Sequence, residues 1–513
     1  GSEMCIRDRY GAAVLAFDRY LASDPTERAD EALYYKALAQ REGGDGAAAL
    51  VTLDSLIDEH GTGTWFVPAL LAKAATLGSM GESGTAVEVY RDVANRFPGD
   101  ERAPKALWRA AKLREGEGAH AQAAGLYEAV ATGFPAFEDA DEAVWRAGLG
   151  RYRAGETDRA IENWEMLLAG YPKSDFRYKS LYWLGKLGAL PAQQGSAGYW
   201  DQLLTAAPTD YYALRVEQIR AGESLTATRL ISAPVAALHW DPALAQAEML
   251  TWLGTWTGVP TETASLSLPD ALARHPSLGR GQELLAVGMR REALDAVDNL
   301  LSVAWDDPLM LAPLAFYYRE QGFHGLAARS ALRLASLWPR GTIHTAPAFL
   351  RRLAYPLAYA DLLAKEAQEN GLDPMLLAAL VRQESLFEPA AESYAGARGL
   401  GQVMPATGQG IANTLDMDEF VLDDLYRPSV SIHFGAWYLA VQMRRFGDQI
   451  LVALAAYNGG PGNTLRWMDD GGADLDLFVE VITANQSRRY LQRVYAQYLI
   501  YEELYRPGST GQQ

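Results

Sequence analysis

Gly44, Gly81, Gly118 and Gly155 stand 37 residues apart, and this period restricts the first part of the chain to an array of stacked units. Pro98, Pro135 and Pro172 keep the same spacing, with Pro25 and Pro208 near its grid. Aromatic residues follow it too: Tyr90, Tyr127 and Trp164 form one column, and Trp108, Trp145 and Tyr182 another. In the unit ending at Pro172, Val144, Trp145, Leu149 and Tyr152 recur at helical spacing before Gly155 breaks the helix. Ile161, Trp164 and Leu168 then mark one side of a second helix, which Tyr171 and Pro172 stop. Such a pair cannot bury its apolar stripe alone, so neighbouring units must stack, with the aromatic columns as their core.

This pattern resembles the tetratricopeptide repeat family, at a slightly longer period. It is clear over residues 10–210. Residues 211–350 keep a helical pattern, and turns near Gly288 and Gly322 suggest degenerate pairs closing at Trp338 and Pro339. We therefore expect an all-α chain: an α-solenoid over 10–350, then a compact domain over 351–505 that starts near Tyr355 and Pro356. Residues 1–9, GSEMCIRDR, lack apolar periodicity and read as a scar or a disordered lead. The RPGSTGQQ tail, 506–513, reads as disordered.

At 513 residues the chain exceeds one ordinary core, and its 49% hydrophobic and 21% charged content is that of a globular protein. A net charge of −18 argues against a nucleic-acid partner, which would require clustered Lys and Arg. The single cysteine, Cys5, permits no disulfide framework. No apolar run is long enough to span a membrane, and no signal peptide is visible, although a missing amino terminus would hide one. The seven histidines show no close ligand pair, and no phosphate-cradling glycine loop follows a strand, so neither metal nor nucleotide cofactor is expected.

The segment GLDPMLLAALVRQESLFEP carries the chemistry. Asp373 suits a helix N-cap and Pro374 a first helical position. Leu377, Leu380, Val381 and Glu384 then fall at i, i+3, i+4 and i+7, which places a lone acid on the apolar face. Pro389 disfavours helix at Glu388, so the helix should end soon after Glu384, near the negative end of its dipole. Apolar walls and that dipole both favour the protonated acid, as a general acid near neutral pH requires. The helix alone leaves open whether Glu384 is catalytic or paired with a buried arginine.

Downstream come SYAGARGLGQVMPAT and ALAAYNGGPG, within about 80 residues of ESLFEP. Together these resemble the signature of the lytic transglycosylases with a lysozyme-like fold, of the soluble type that carries a helical superhelix before the catalytic domain. The resemblance implies Glu384 as the catalytic acid and Ser385 as its serine neighbour. It implies that Ser393 lies near the acid and the bound sugar, that Gln402 and Met404 line the glycan cleft, and that Tyr457 and Asn458 close the site. By residue type alone Met404 suits a core, and Tyr457 and Asn458 suit a turn before Gly459 and Gly460. Glycines 396, 399 and 401 would permit close backbone approach.

Two departures stand out. Gly401 replaces the family's methionine, which should remove a side chain from the cleft wall. In FVEVITANQSRRY, Thr483, Gln486 and Ser487 replace a proline, a glutamate and a threonine, while Glu480, Arg488 and Tyr490 remain. By the resemblance Gln486 is a substrate-binding position, which here keeps hydrogen-bonding capacity but loses the charge.

The resemblance further implies cleavage between N-acetylmuramic acid and N-acetylglucosamine of peptidoglycan without water, giving 1,6-anhydro ends, in the periplasm or cell envelope. Envelope proteins are possible partners of the solenoid. Ordinary glycosidases use two carboxylates. The nearby Glu388 and Glu392 read as solvated surface charges, which suits a one-acid mechanism. A goose-type lysozyme-like hydrolase and a non-enzymatic glycan-binding scaffold are the alternatives.

Overall fold

The glycines of the repeat occur where the chain must turn left-handed. In the computed structural model, φ is +91° at Gly44, +85° at Gly81, +73° at Gly118 and +79° at Gly155. Each follows a fourteen-residue helix, Ala29–Glu42, Phe66–Ser79, Ala103–Gly116 and Ala140–Arg153, and a side chain there would be strained. The partner helices Ser83–Arg96, His120–Gly133 and Thr157–Gly170 end on Phe97, Phe134 and Tyr171, just before the periodic prolines. The structure describes residues 2–23, 27–188, 198–222, 240–261 and 265–505, with side chains from residue 9 onward. The expected tail at 506–513 and Pro25 lie outside them.

Helix makes up 73% of the described residues. The β-type pairings among the described residues are isolated bridges, Glu392 with Arg398 and Arg398 with Val403. The chain divides into two compact units, Gly1–Ala207 and Pro208–Gln513. The first unit opens with the helix Ser2–Leu21, so residues 2–9 are helical.

The aromatic columns are core, as their period requires. Tyr90, Tyr127, Trp145, Trp164 and Tyr182 are buried and Trp108 half-buried, and the rings of Trp145 and Trp164 stack at 5.4 Å. Room for the indoles comes from glycine: a Cβ at Gly148 would lie 2.3 Å from Trp164, and one at Gly185, a period later, 2.2 Å from Trp200. The second helix of that unit buries Ala160, Asn163, Trp164 and Leu167. The expected Ile161 and Leu168 are only half-buried, because Trp164 turns the face by one position toward the small Ala160.

In the second unit, Gly288 at φ +80° and Gly322 at +75° turn the chain between further helix pairs, the last ending at Trp338. These pairs pack in the same unit as the helices that follow: Ala360–Asn370, Pro374–Ser385, Pro405–Thr414, Pro428–Arg445, Ile450–Gly459, Pro461–Gly471, Leu475–Val481 and Asn485–Tyr505. The centre of this region is Ile450–Ala456, buried on every side. Such a segment reads as uniformly apolar, and in a helix that means packing all round.

Candidate active site

The helix Pro374–Ser385 is fixed at both ends. Asp373, fully buried, caps its start by accepting from the Met375 amide at 2.7 Å, and Tyr498 donates its hydroxyl to the other carboxylate oxygen at 3.1 Å. Burial pushes the Asp373 carboxyl up to about 6. At the far end the chain leaves through two successive left-handed residues that are not glycine, Leu386 at φ +49° and Phe387 at +61°. Bulky residues tolerate this poorly, and here the cost is offset by complete burial of the Phe387 ring.

Glu384 is the penultimate residue of this helix. Burial pushes its carboxyl up to about 7, against the opposing effect of Tyr490, whose hydroxyl donates to Oε1 at 2.5 Å. The residue keeps part of its surface open although its carboxyl is enclosed. The arginine alternative fails: the buried Arg382, two residues away, gives its guanidinium to the Ala354 carbonyl at 2.9 and 3.2 Å and stacks over Tyr355. Tyr457 lies close enough to Glu384 for that carboxylate to raise its phenol, after burial itself.

The loop over 391–403 is tied to this helix end. Ser385 donates its hydroxyl to the carbonyls of Leu400 at 3.1 Å and Val381 at 3.0 Å. Tyr457 donates to the Gly401 carbonyl at 2.8 Å. Gln402, left-handed at φ +45°, gives its amide nitrogen to the Gly399 and Ala391 carbonyls. Ser393 accepts from the Ala397 amide at 3.0 Å and so closes the turn that carries the fully exposed Tyr394. These four residues thus spend hydrogen bonds on building the loop. Asn458 is exposed and accepts from Ser487 at 2.9 Å, and Gln486 is exposed nearby in sequence.

Several sequence expectations need correction. Met404 is 43% exposed rather than core. A side chain at Gly401 would not face a cleft: its Cβ would lie 3.0 Å from the Ser431 carbonyl and 3.3 Å from Gly435 Cα, so this glycine lets loop and helix backbones meet. Gly399 is more constrained still, with φ +73° and the Leu425 carbonyl 1.9 Å from any Cβ. Glu388 is not a solvated charge. It is buried and accepts from Arg290 at 3.0 and 3.1 Å, while Arg290 also donates to the Gly322 carbonyl at 2.8 Å. Glu392, by contrast, is exposed as expected, and accepts from Arg291 at 3.1 Å and Tyr426 at 3.0 Å. Both acids bind partners about 100 residues upstream in the chain, so local sequence gives no sign of the pairing.

Tyr490, the group on the acid, was not singled out as a site residue. It lies 106 positions from Glu384, and its only sequence mark was a place in the late motif. In that motif Thr483 accepts from the Trp467 indole at 3.1 Å, and Glu480 accepts from the Tyr212 hydroxyl at 2.6 Å. The fold also gathers Glu366, Glu369 and His433, whose ligand atoms lie within 4.8 Å. Lys365 already stands 3.1 Å from Glu366 and 3.7 Å from Glu369, so a cation is supplied by the chain itself.

Comparison with known proteins agrees with this layout. Residues 361–475 match the transglycosylase SLT domain family, and residues 31–62 and 142–174 match tetratricopeptide repeats. The chain is 28% identical over 258 residues to the soluble lytic murein transglycosylase of Salmonella typhimurium, covering 50% of this chain and 37% of that protein. It is 28% identical over 248 residues to its namesake in Escherichia coli, covering 48% and 36%. Membrane-bound lytic murein transglycosylase F of Marinobacter nauticus is 34% identical over 194 residues, 36% of each chain. The matched stretch thus spans little more than a third of these relatives. The crystal structure of the 70 kDa soluble lytic transglycosylase from Escherichia coli covers 100% of this chain and 88% of its own, at 18% identity and a TM-score of 0.49. The chain thus carries a transglycosylase SLT domain after tetratricopeptide repeats, and over that stretch it is similar to the soluble lytic murein transglycosylases.

Proposed function

We propose that the protein is a lytic transglycosylase of peptidoglycan, with Glu384 as its single acid and base. The observation that carries this reading is the Glu384 carboxyl itself, raised to about 7 by burial, with the Tyr490 hydroxyl its one hydrogen-bond partner among the described residues. A group with that pKa is protonated often enough to donate at neutral pH and becomes a competent base afterwards. Glu388 is buried against Arg290, and the exposed Glu392 pairs at the surface with Arg291 and Tyr426, an arrangement that favours a one-acid mechanism.

In this reading Glu384 gives its proton to the oxygen linking N-acetylmuramic acid to N-acetylglucosamine, and the C1–O bond breaks. The carbonyl oxygen of the substrate's acetamido group supports the electron-poor C1. The Glu384 carboxylate then takes the proton of the carbon-6 hydroxyl as that oxygen bonds to C1, which yields a 1,6-anhydro ring and restores the acid. Tyr490 steadies the carboxylate between the two steps. Ser385, Ser393, Gln402 and Tyr457 shape the loop that borders the acid, and the exposed Met404, Asn458 and Gln486 are proposed sugar contacts.

We further propose a periplasmic or envelope location, where that substrate lies, and the division into a solenoid to residue 350 and a catalytic domain over 351–505. No helix among the described residues is long and apolar enough to cross a membrane. Zymography on purified peptidoglycan tests the assignment. The wild type should clear the gel and Glu384→Gln should not. Clearing by the variant would overturn it.

A further inference from the structure

Three positions of the 37-residue repeat meet in space, and what occupies them changes from unit to unit. At Tyr152, Trp164 and Trp183 they are aromatic, with ring centroids 5.0, 5.9 and 6.5 Å apart. One period earlier they are Glu115, Tyr127 and Arg146. There the Glu115 carboxylate accepts from the Tyr127 hydroxyl at 3.0 Å and from Arg146 at 3.2 Å, with Lys112 at 2.6 Å. Burial pushes that carboxyl up, and Arg146 and Lys112 outweigh the burial, so it sits below its ordinary value.

One period earlier again, the same positions are Gly78, Tyr90 and Arg109. Tyrosine and arginine are retained, but the acid is gone. Tyr90 is 3% exposed and lies close enough to the exposed Arg109 for that guanidinium to oppose the upward push of burial on its phenol, and Arg109 has no carboxylate within ion-pair distance among the described residues. Around them lies a cavity of about 450 Å³ lined by Arg41, Glu42, Ala75, Ser79, Tyr90 and Arg109. Arg41 is bonded to Glu42 at 2.8 Å, so the uncompensated charge on the wall is Arg109.

We propose that this cavity binds a ligand carboxylate, the free carboxyl end of a peptide, with Arg109 and Tyr90 taking it as Arg146 and Tyr127 take Glu115. The neighbouring unit supplies the template: the same two side chains already hold a carboxylate of this chain. Guanidinium and phenol donors suit that group, and the volume exceeds a carboxylate, leaving room for the residues attached to it. A cell-wall peptide and a protein carboxyl terminus present the same chemistry.

Isothermal titration of the full chain tests the proposal with four probes: N-acetyl-D-Ala-D-Ala, N-acetyl-L-Ala-L-Ala and the carboxamide of each. The free acids should bind, and both the carboxamides and Arg109→Ala should lower affinity at least about ten-fold. A preference for the D,D acid assigns the ligand to cell-wall peptide, and a preference for the L,L acid assigns it to a protein terminus. Gly78→Glu reproduces the neighbouring unit while sparing Arg109 and Tyr90. Its Cβ would meet Leu113 at 3.4 Å, an ordinary contact, and the new carboxylate should fill the site and abolish binding. Equal affinity for acids and carboxamides, no binding of either acid, or unchanged binding by Gly78→Glu would overturn the proposal.

Discussion

Replacing Glu384 by glutamine keeps the shape of the side chain and removes its titration, and the structure says what that does to stability. Burial raises the carboxyl from an ordinary 4.5 to about 7. The folded state therefore holds this proton more tightly than the unfolded chain. Its contribution is fully present below pH 4.5 and is lost as the pH rises to about 7. At 1.36 kcal/mol per pH unit, that loss amounts to about 3 kcal/mol. Glutamine suffers none of it. Urea denaturation followed by tryptophan fluorescence should show Glu384→Gln gaining about 3 kcal/mol on the wild type between pH 4.5 and 8, with activity abolished. A difference between the two proteins that stays flat with pH would mean that the carboxyl titrates as in water, and the argument for a buried acid would fail.

Four further perturbations follow from the same geometry. Tyr490→Phe removes the donor that favours the carboxylate, so the Glu384 proton should be held to higher pH. A hydrogen bond to a charged group is worth about 1.5–3 kcal/mol, so the alkaline limb of kcat/KM should move up by about one to two pH units; an unmoved or lowered limb contradicts the role given to Tyr490. Gly399→Ala puts a methyl into the Leu425 carbonyl at positive φ and should cost more than about 3 kcal/mol in the same denaturation assay. Gly410→Ala, in open space on a helix, should be neutral or stabilising by up to about 1 kcal/mol. Arg290→Ala should cost about 2 kcal/mol by stranding the buried Glu388, and a double-mutant cycle with Glu388→Gln should show coupling.

Legibility in the sequence followed the range of the interactions. The repeat units were readable because period, turn glycine and stop proline all lie within 37 residues, and the positive φ at Gly81 or Gly118 is a local demand. Glu384 was readable for the same reason: its helix start at Asp373 and its place among Leu377, Leu380 and Val381 are separated by single turns. The pairing of Glu388 with Arg290 and of Glu384 with Tyr490 was not readable, because each crosses about 100 residues and depends on how helices pack. Residue type misled at Met404, where an apolar side chain is left open. At Gly401 it was the family resemblance that misled, because the missing side chain would face the backbone of a neighbouring helix.

The most direct test of the chemistry is the mass of the glycan ends released from purified peptidoglycan. A single acid that later accepts the carbon-6 proton predicts muramic ends lighter by one water than reducing ends, produced by the wild type and absent with Glu384→Gln. Reducing ends in the wild-type digest would show that water is the attacking group, and would contradict the intramolecular step.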